Sequence, residues 1–166
     1  REVRDIIGAR LMQLVFSEIF SLGTMHSDPN PANFAFGPDG TITLYDFGSV
    51  KRFTSEEIAA AGDIIVGAFE EDYEMVERGM TGIGARDPDE PPPEKWIYKT
   101  WRDMLIPVFD SNTPFDFGSS TLHRRMMKRL PEFVEHVRHF RLPAGLMLVQ
   151  RTMVGLYGNL RSLDTR

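Results

Sequence analysis

Residues 26–48 read HSDPNPANFAFGPDGTITLYDFG, and this stretch limits the folds open to the chain more than any other. Pro29 and Pro31 remove two backbone donors. Asp28, Asn30 and Asn33 favour turns closed by their own side chains, so residues 26–33 are predicted to form a loop. Phe34, Ala35 and Phe36 then read as a short strand. Pro38-Asp39-Gly40 is a tight-turn signature, and Thr41 to Tyr45 alternates and is β-branched. The stretch therefore predicts a hairpin that leaves the polar loop and returns to it. Asp46, in Asp46-Phe47-Gly48, arrives at the far end of that hairpin, beside the loop holding Asp28 and Asn33.

The rest of the chain reads as helix. Val3, Ile6, Ile7, Leu11, Leu14, Val15, Ile19 and Phe20 recur at three- and four-residue spacing, which predicts an amphipathic helix over 2–21 stopped near Gly23. Thr54-Ser55-Glu56-Glu57 is a helix start, with hydroxyls to cap and acids in the first turn. That helix is predicted to reach 69 and a second to cover 71–80. TGIGARDPDEPPP, at 81–93, is a loop by composition. Further helices are expected at 94–109, 119–139 and 143–163, with a loop at 110–118. The expectation is α+β, mostly helical, with one small hairpin. The 166 residues are expected to form a single domain, since no internal linker divides them.

Charge is uneven along the chain. Residues 54–94 hold twelve acids and two arginines, a balance of −10, and residues 119–166 hold nine bases and three acids, a balance of +6. The two helical faces partly neutralise each other. The basic C-terminal part also suits an anionic lipid or phosphate surface. Its bases lack interleaved aromatics, so no nucleic-acid partner is expected. The absence of cysteine excludes disulfides and thiolate metal sites and fits a reducing compartment. No apolar run approaches the ~18 residues of a membrane span. The chain begins REVRDIIGAR without Met and reads as a piece of a longer protein.

Asp28, Asn33 and Asp46 are the residue types phosphoryl transfer requires. The transferred group is already reactive, and catalysis consists of aligning the attacking hydroxyl and neutralising phosphate charge. One carboxylate must take or orient the hydroxyl proton. A second must bridge magnesium to the phosphates, and a neutral amide oxygen completes the shell without adding charge. A lone Asp-Phe-Gly says little, since Asp116-Phe117-Gly118 is another without an upstream Asn at the right distance. The order His-x-Asp, Asn five residues later, hairpin, Asp-Phe-Gly matches the catalytic and metal-binding loops of protein kinases.

Two departures narrow the match. Ser27 stands where ordinary protein kinases have Arg before the catalytic Asp, and no Ala-Pro-Glu segment follows. The stretch MHSDPNPANFAFGPDGTITLYDFGSVKRF instead resembles the atypical, protein-kinase-like UbiB family, linked to ubiquinone biosynthesis and found in bacteria, mitochondria and plastids. EIFSLGTMHSDP before it, the helices that follow Asp-Phe-Gly almost at once, PFDFG at 114–118 and the closing RTMVGLYGNLRSL are similar to that family too. The resemblance implies a kinase-like large lobe that binds ATP and Mg2+, with Asp28 in the catalytic position and Asn33 and Asp46 as magnesium and nucleotide-phosphate ligands. His26 would support the loop. Ser27 implies no switch of the usual phospho-loop kind, as no guanidinium is there to pair with a phosphate. The family further implies a lipid or quinone-precursor partner and a cytoplasmic or membrane-peripheral place, in the mitochondrial matrix or plastid of a eukaryote.

The chain carries no glycine- or alanine-rich nucleotide loop, no small-lobe Lys–Glu pair and no Lys-x-Gly-Gln motif. It is therefore expected to begin at the large lobe, with the N-terminal lobe missing and the fragment alone inactive. A non-catalytic pseudokinase scaffold is one alternative. A small-molecule phosphotransferase of the aminoglycoside or choline kinase type is another. Other features have plain readings. Asn30 closes an Asx-turn, and a calcium loop fails because its glycine is missing. Gly79, Gly82 and Gly84 fit neither phosphate-loop pattern and read as a flexible loop. His136 and His139, near Glu132 and Glu135, read as solvated surface. Asp116 and its neighbours read as a packing anchor and helix cap, and the Met-rich run Leu146–Leu156 as core.

Overall fold

The computed structural model describes residues 2–109, 113–134 and 136–166. They fall into two compact units. The first comprises Arg1–Thr54, Asp116–Ser120 and Met147–Arg166, and the second Ser55–Phe115 and Thr121–Leu146. The architecture is mostly helical α+β, as the sequence predicts.

The first unit opens with α1 (Glu2–Phe20). Its buried apolar face is narrower than the sequence stripe: Ile7, Leu11, Val15 and Ile19, one turn apart, are buried, whereas Val3, Ile6 and Phe20 are exposed. Gly8 lies against Thr165, where a Cβ would come within 2.8 Å of the threonine Cβ. Four three-residue strands follow: β1 (Thr24–His26), β2 (Phe34–Phe36), β3 (Ile42–Leu44) and β4 (Val50–Arg52). β2 and β3 form the predicted hairpin, with Phe34 opposite Leu44 and Phe36 opposite Ile42. Its turn closes through Gly37 N–H to the Thr41 carbonyl at 2.8 Å, with Gly40 at φ +79°. Asp39 accepts from both the Thr41 hydroxyl (2.7 Å) and its N–H (3.0 Å), and those two bonds hold its carboxyl below the usual range. A second antiparallel ladder pairs β1 with β4, in the register Thr24–Arg52, Met25–Lys51 and His26–Val50.

In the second unit α2 (Ser55–Glu70) and α3 (Tyr73–Gly82) form a tight helical pair. Asp72 caps α3 by accepting from the N–H groups of Glu74 and Met75. Gly79 and Gly82, expected in a flexible loop, lie in α3 and let it approach α2. A Cβ on Gly79 would fall 2.5 Å from the Ala60 carbonyl oxygen, and one on Gly82 2.6 Å from the Ala60 Cβ. Composition misread them because close helix packing and loop freedom call for the same residue. Then come α4 (Lys95–Leu105) and α5 (Leu122–Val134). The helix expected over 119–139 is shorter. Pro131 offers no N–H to the preceding turn, α5 ends at Val134, and Val137–His139 form a separate 3₁₀ turn. Residues 110–112 of the expected loop, and Glu135, lie outside the described residues. The last helix, α6 (Ala144–Ser162), starts in the second unit and runs into the first.

Candidate active site

The two ladders explain why the polar loop and the Asp-Phe-Gly loop meet. Residues 27–33 join β1 to β2, and residues 45–49 join β3 to β4. Because β1 pairs with β4 and β2 with β3, both connections span the same pair of ladders. Direct bonds lace them together. Ser27 N–H donates to the Ser49 carbonyl at 2.9 Å, and Tyr45 N–H to the Asn33 carbonyl at 2.8 Å. The Ser27 and Ser49 hydroxyls are 2.8 Å apart. His26 Nε2 lies 2.8 Å from the Asp46 carbonyl, which only accepts, so Nε2 carries the proton. The His26 ring also meets Phe34 and Phe47 edge-on, at 6.3 and 5.7 Å between centroids.

Asn33 is buried, at the end of a 3₁₀ turn (Pro31–Asn33) that Asn30 caps from Ala32 N–H, the Asx-turn read from the sequence. Its side-chain Nδ2 donates to Asp28 Oδ2 at 2.8 Å and, at 3.4 Å, to the Asp28 carbonyl. The amide nitrogen is thus committed to Asp28, and the amide oxygen, on the opposite side of the group, is directed away from it. Asp46 is exposed and sits at φ +54°, a left-handed conformation that Asp and Asn tolerate better than most residues. Its Oδ1 accepts from Gly48 N–H at 3.0 Å. Asp28 and Asn33 are in direct contact, and Asp46 is tied to their loop through His26.

Behind the loop is a cavity of about 20 Å³, the volume of a single water. Glu18, His26, Pro29, Thr152 and Asn159 are among its lining residues. Glu18 accepts from the His26 N–H at 3.3 Å. Burial pushes its carboxyl up, and the bond from His26 only partly offsets that. An acid whose pKa is higher folded than unfolded holds more protons folded. Its contribution to stability is therefore lost as pH rises from about its ordinary 4.5 through the raised value. Glu18→Gln, which still accepts from His26, is expected to raise the melting temperature at pH 7 and leave it unchanged at pH 4. A melting temperature that falls at pH 7 would show that the ionised carboxylate is needed.

Other candidates play structural parts. Asp116 accepts from Ser119 N–H at 3.0 Å, which lowers its pKa, and so closes a turn ahead of α5. Phe117 is buried with its ring edge 6.1 Å from Tyr157, the expected packing anchor. His136 packs edge-on against Trp96 at 5.2 Å and stacks with His139 at 6.2 Å, both beyond the end of α5. Glu132 pairs with Arg129. Among the described residues no three His, Cys, Asp or Glu side chains cluster to hold a metal. Sequence reading missed Glu18, Ser49, Arg151 and Asn159. The last two interrupt the apolar run of α6 eight residues apart, a helical spacing that marks one face.

A hairpin that sets an Asp/Asn loop against an Asp-Phe-Gly loop on a helical body defines a kinase-like protein. Residues 1–80 match the ABC1 atypical kinase-like domain. The UbiB-type resemblance is thereby borne out. The chain is 25% identical over 160 residues to the mitochondrial atypical kinase coq-8 of Caenorhabditis elegans, covering 93% of this chain and 21% of that protein. It is 24% identical over 143 residues to the mitochondrial atypical kinase COQ8B of Rattus norvegicus, covering 82% and 26%. Among solved structures, the complex of Rv3197 with erythromycin from Mycobacterium tuberculosis superposes with a TM-score of 0.70 at 27% identity, over 99% of this chain and 41% of that one. The chain spans less than half the length of each of these relatives. Among the described residues no helix is long and apolar enough to cross a membrane.

Proposed function

We propose that this chain is the large-lobe half of a Mg-ATP site in an atypical kinase or ATPase of the UbiB type, acting in isoprenoid quinone (ubiquinone) biosynthesis. The observation that carries the reading is the contact between Asn33 Nδ2 and Asp28 Oδ2, one loop away from Asp46. The donor set suits magnesium, because Asp46 offers a carboxylate and Asn33 a neutral amide oxygen, both hard ligands. Magnesium, when bound there, would neutralise phosphate charge. Asp28 would accept or orient the proton of the attacking hydroxyl or water. Asn33 would hold Asp28 through its N–H group while presenting its oxygen to the metal. His26 would fix the Asp-Phe-Gly loop through the Asp46 carbonyl. The missing N-terminal lobe would supply the rest of the nucleotide site. Two relatives are mitochondrial by name, which supports a mitochondrial place, and a membrane-peripheral position there is part of the same reading.

The test is ATP turnover by the natural protein containing this chain, with magnesium present or chelated. A folded protein with no turnover would favour the scaffold reading. Transfer to a small soluble hydroxyl compound would favour the phosphotransferase reading. The lipid partner has support of its own. α5 exposes Arg124, Arg125, Lys128 and Arg129 beside Met127, which is 66% exposed, and Val134. Vesicles containing an anionic lipid are expected to bind the protein. Replacing Arg124, Arg125 and Lys128 by Glu should abolish this, as should ~1 M salt, which shortens screening to about 3 Å. Equal binding to neutral vesicles would remove the charge argument.

A further inference from the structure

Three residues of α6 face the polar loop at successive turns of the helix: Arg151, Gly155 and Asn159. Arg151 donates to the Ser27 carbonyl, through Nε at 3.1 Å and through a second guanidinium nitrogen. Asn159 Nδ2 donates to the Pro29 carbonyl at 2.9 Å. Between them, Gly155 leaves room for the Pro29 ring, since a Cβ there would lie 2.2 Å from Pro29 Cγ. Asp28 is the residue between the two held carbonyls.

The consequence follows from the backbone. The Ser27 carbonyl belongs to the peptide before Asp28, and the Pro29 carbonyl to the peptide after Pro29. The peptide between them is restricted by the proline ring, which also confines Asp28 to extended conformations. Three successive peptide planes are therefore fixed, two of them by α6. Pro29 has no N–H, so a bond to a carbonyl is the way to hold this part of the loop from outside. The guanidinium bond is charge-assisted and therefore the stronger of the two.

We infer that Arg151 and Asn159 are positioning residues that fix the Asp28 carboxylate by clamping the carbonyls on either side of it, with Gly155 setting the distance. This deepens the phosphoryl-transfer reading and rests on it. The clamp predicts a rate effect without a nucleotide-affinity effect, because neither side chain is assigned to the nucleotide. A simple packing role would lower stability and leave the turnover of the folded fraction alone.

The test compares Asn159→Asp and Arg151→Gln with the natural protein. Asn159→Asp keeps the shape of the side chain but has no N–H to give Pro29. Each variant is expected to lower kcat for Mg-dependent ATP turnover by about a hundredfold, with KM for ATP within about twofold. Hydrogen exchange of the amides at 32–34 should quicken by about tenfold while that of α2 and α3 stays as it was. Arg151→Lys, retaining charge but only one donor head, should fall between, and serves if Arg151→Gln does not fold. Unchanged exchange in the loop would overturn the inference, whatever the activity. So would a loosened loop with normal kcat. If the natural protein itself turns over no ATP, the phosphoryl-transfer reading fails and the catalytic role of the clamp fails with it. In that case the exchange result still decides whether α6 holds the loop.

Discussion

Replacing Asp46 with Asn is expected to lower Mg-dependent ATP turnover by about a hundredfold or more and to leave the fold intact. The substitution is unusually clean at this position. Asn tolerates the left-handed backbone of Asp46 at φ +54°, and its Oδ1 still accepts from Gly48 N–H. The His26 bond goes to the Asp46 main chain and is untouched. What changes is one negative charge, on the group assigned to the metal. The variant should therefore also need more magnesium to reach half its own maximal rate. Asp28→Asn makes the complementary comparison. Its Oδ1 still accepts from Asn33, so the loop persists, but it no longer takes a proton. A fall in kcat of about 10²–10⁴ is expected, with KM for ATP near the wild-type value. Turnover in both variants equal to wild type, in a protein that is active and folded, would place the chemistry elsewhere.

The hairpin and the loops at its ends were legible because their signals are local. Prolines, Asx residues and a Pro-Asp-Gly turn dictate backbone shape within a few residues, and the order Asp28, Asn33, Asp46 follows from the chain folding back once. The β1–β4 ladder was not legible. Thr24–His26 and Val50–Arg52 are three residues each, too short for alternation to show, and they pair across 23 intervening positions. The part of the site contributed by α6 was hidden for a related reason. Arg151 and Asn159 reach the loop from more than 120 residues away, Arg151 within the Met-rich run read as core and Asn159 just beyond it. Glu18 lies on the buried side of α1, where it accepts from the His26 N–H, and no apolar spacing marks it. In each case a long-range hydrogen bond decides the role, and the residue's own neighbours in sequence are silent about it.

The same blindness covered Arg86, which composition placed in a loop and which is 1% exposed. Its guanidinium meets Glu77 through Nε at 3.0 Å, the His139 carbonyl through one terminal nitrogen and the Pro91 carbonyl through the other at 2.8 Å. Glu90 lies 3.6 Å away, and the Phe140 ring lies 5.8 Å from the guanidinium carbon. Tyr98 donates to Glu77 in turn, and its hydroxyl pKa is pushed up by burial and by that carboxylate. One cation thus joins α3 to the segments before α4 and after α5. Arg86→Met should destabilise the second unit by about 3–5 kcal/mol, because it strands the largely buried Glu77 carboxylate and leaves two carbonyls without their donor. Arg86→Lys should cost nearly as much, since a single ammonium lacks the planar fork that serves a carboxylate and two carbonyls at once. Adding Glu77→Gln to Arg86→Met should recover part of the loss by removing the stranded charge, but not the part owed to the carbonyls. Denaturant unfolding with the protection of α3 amides as probe reads all three variants. A lysine variant as stable as wild type would mean that the charge alone, and not the forked geometry, holds these segments together.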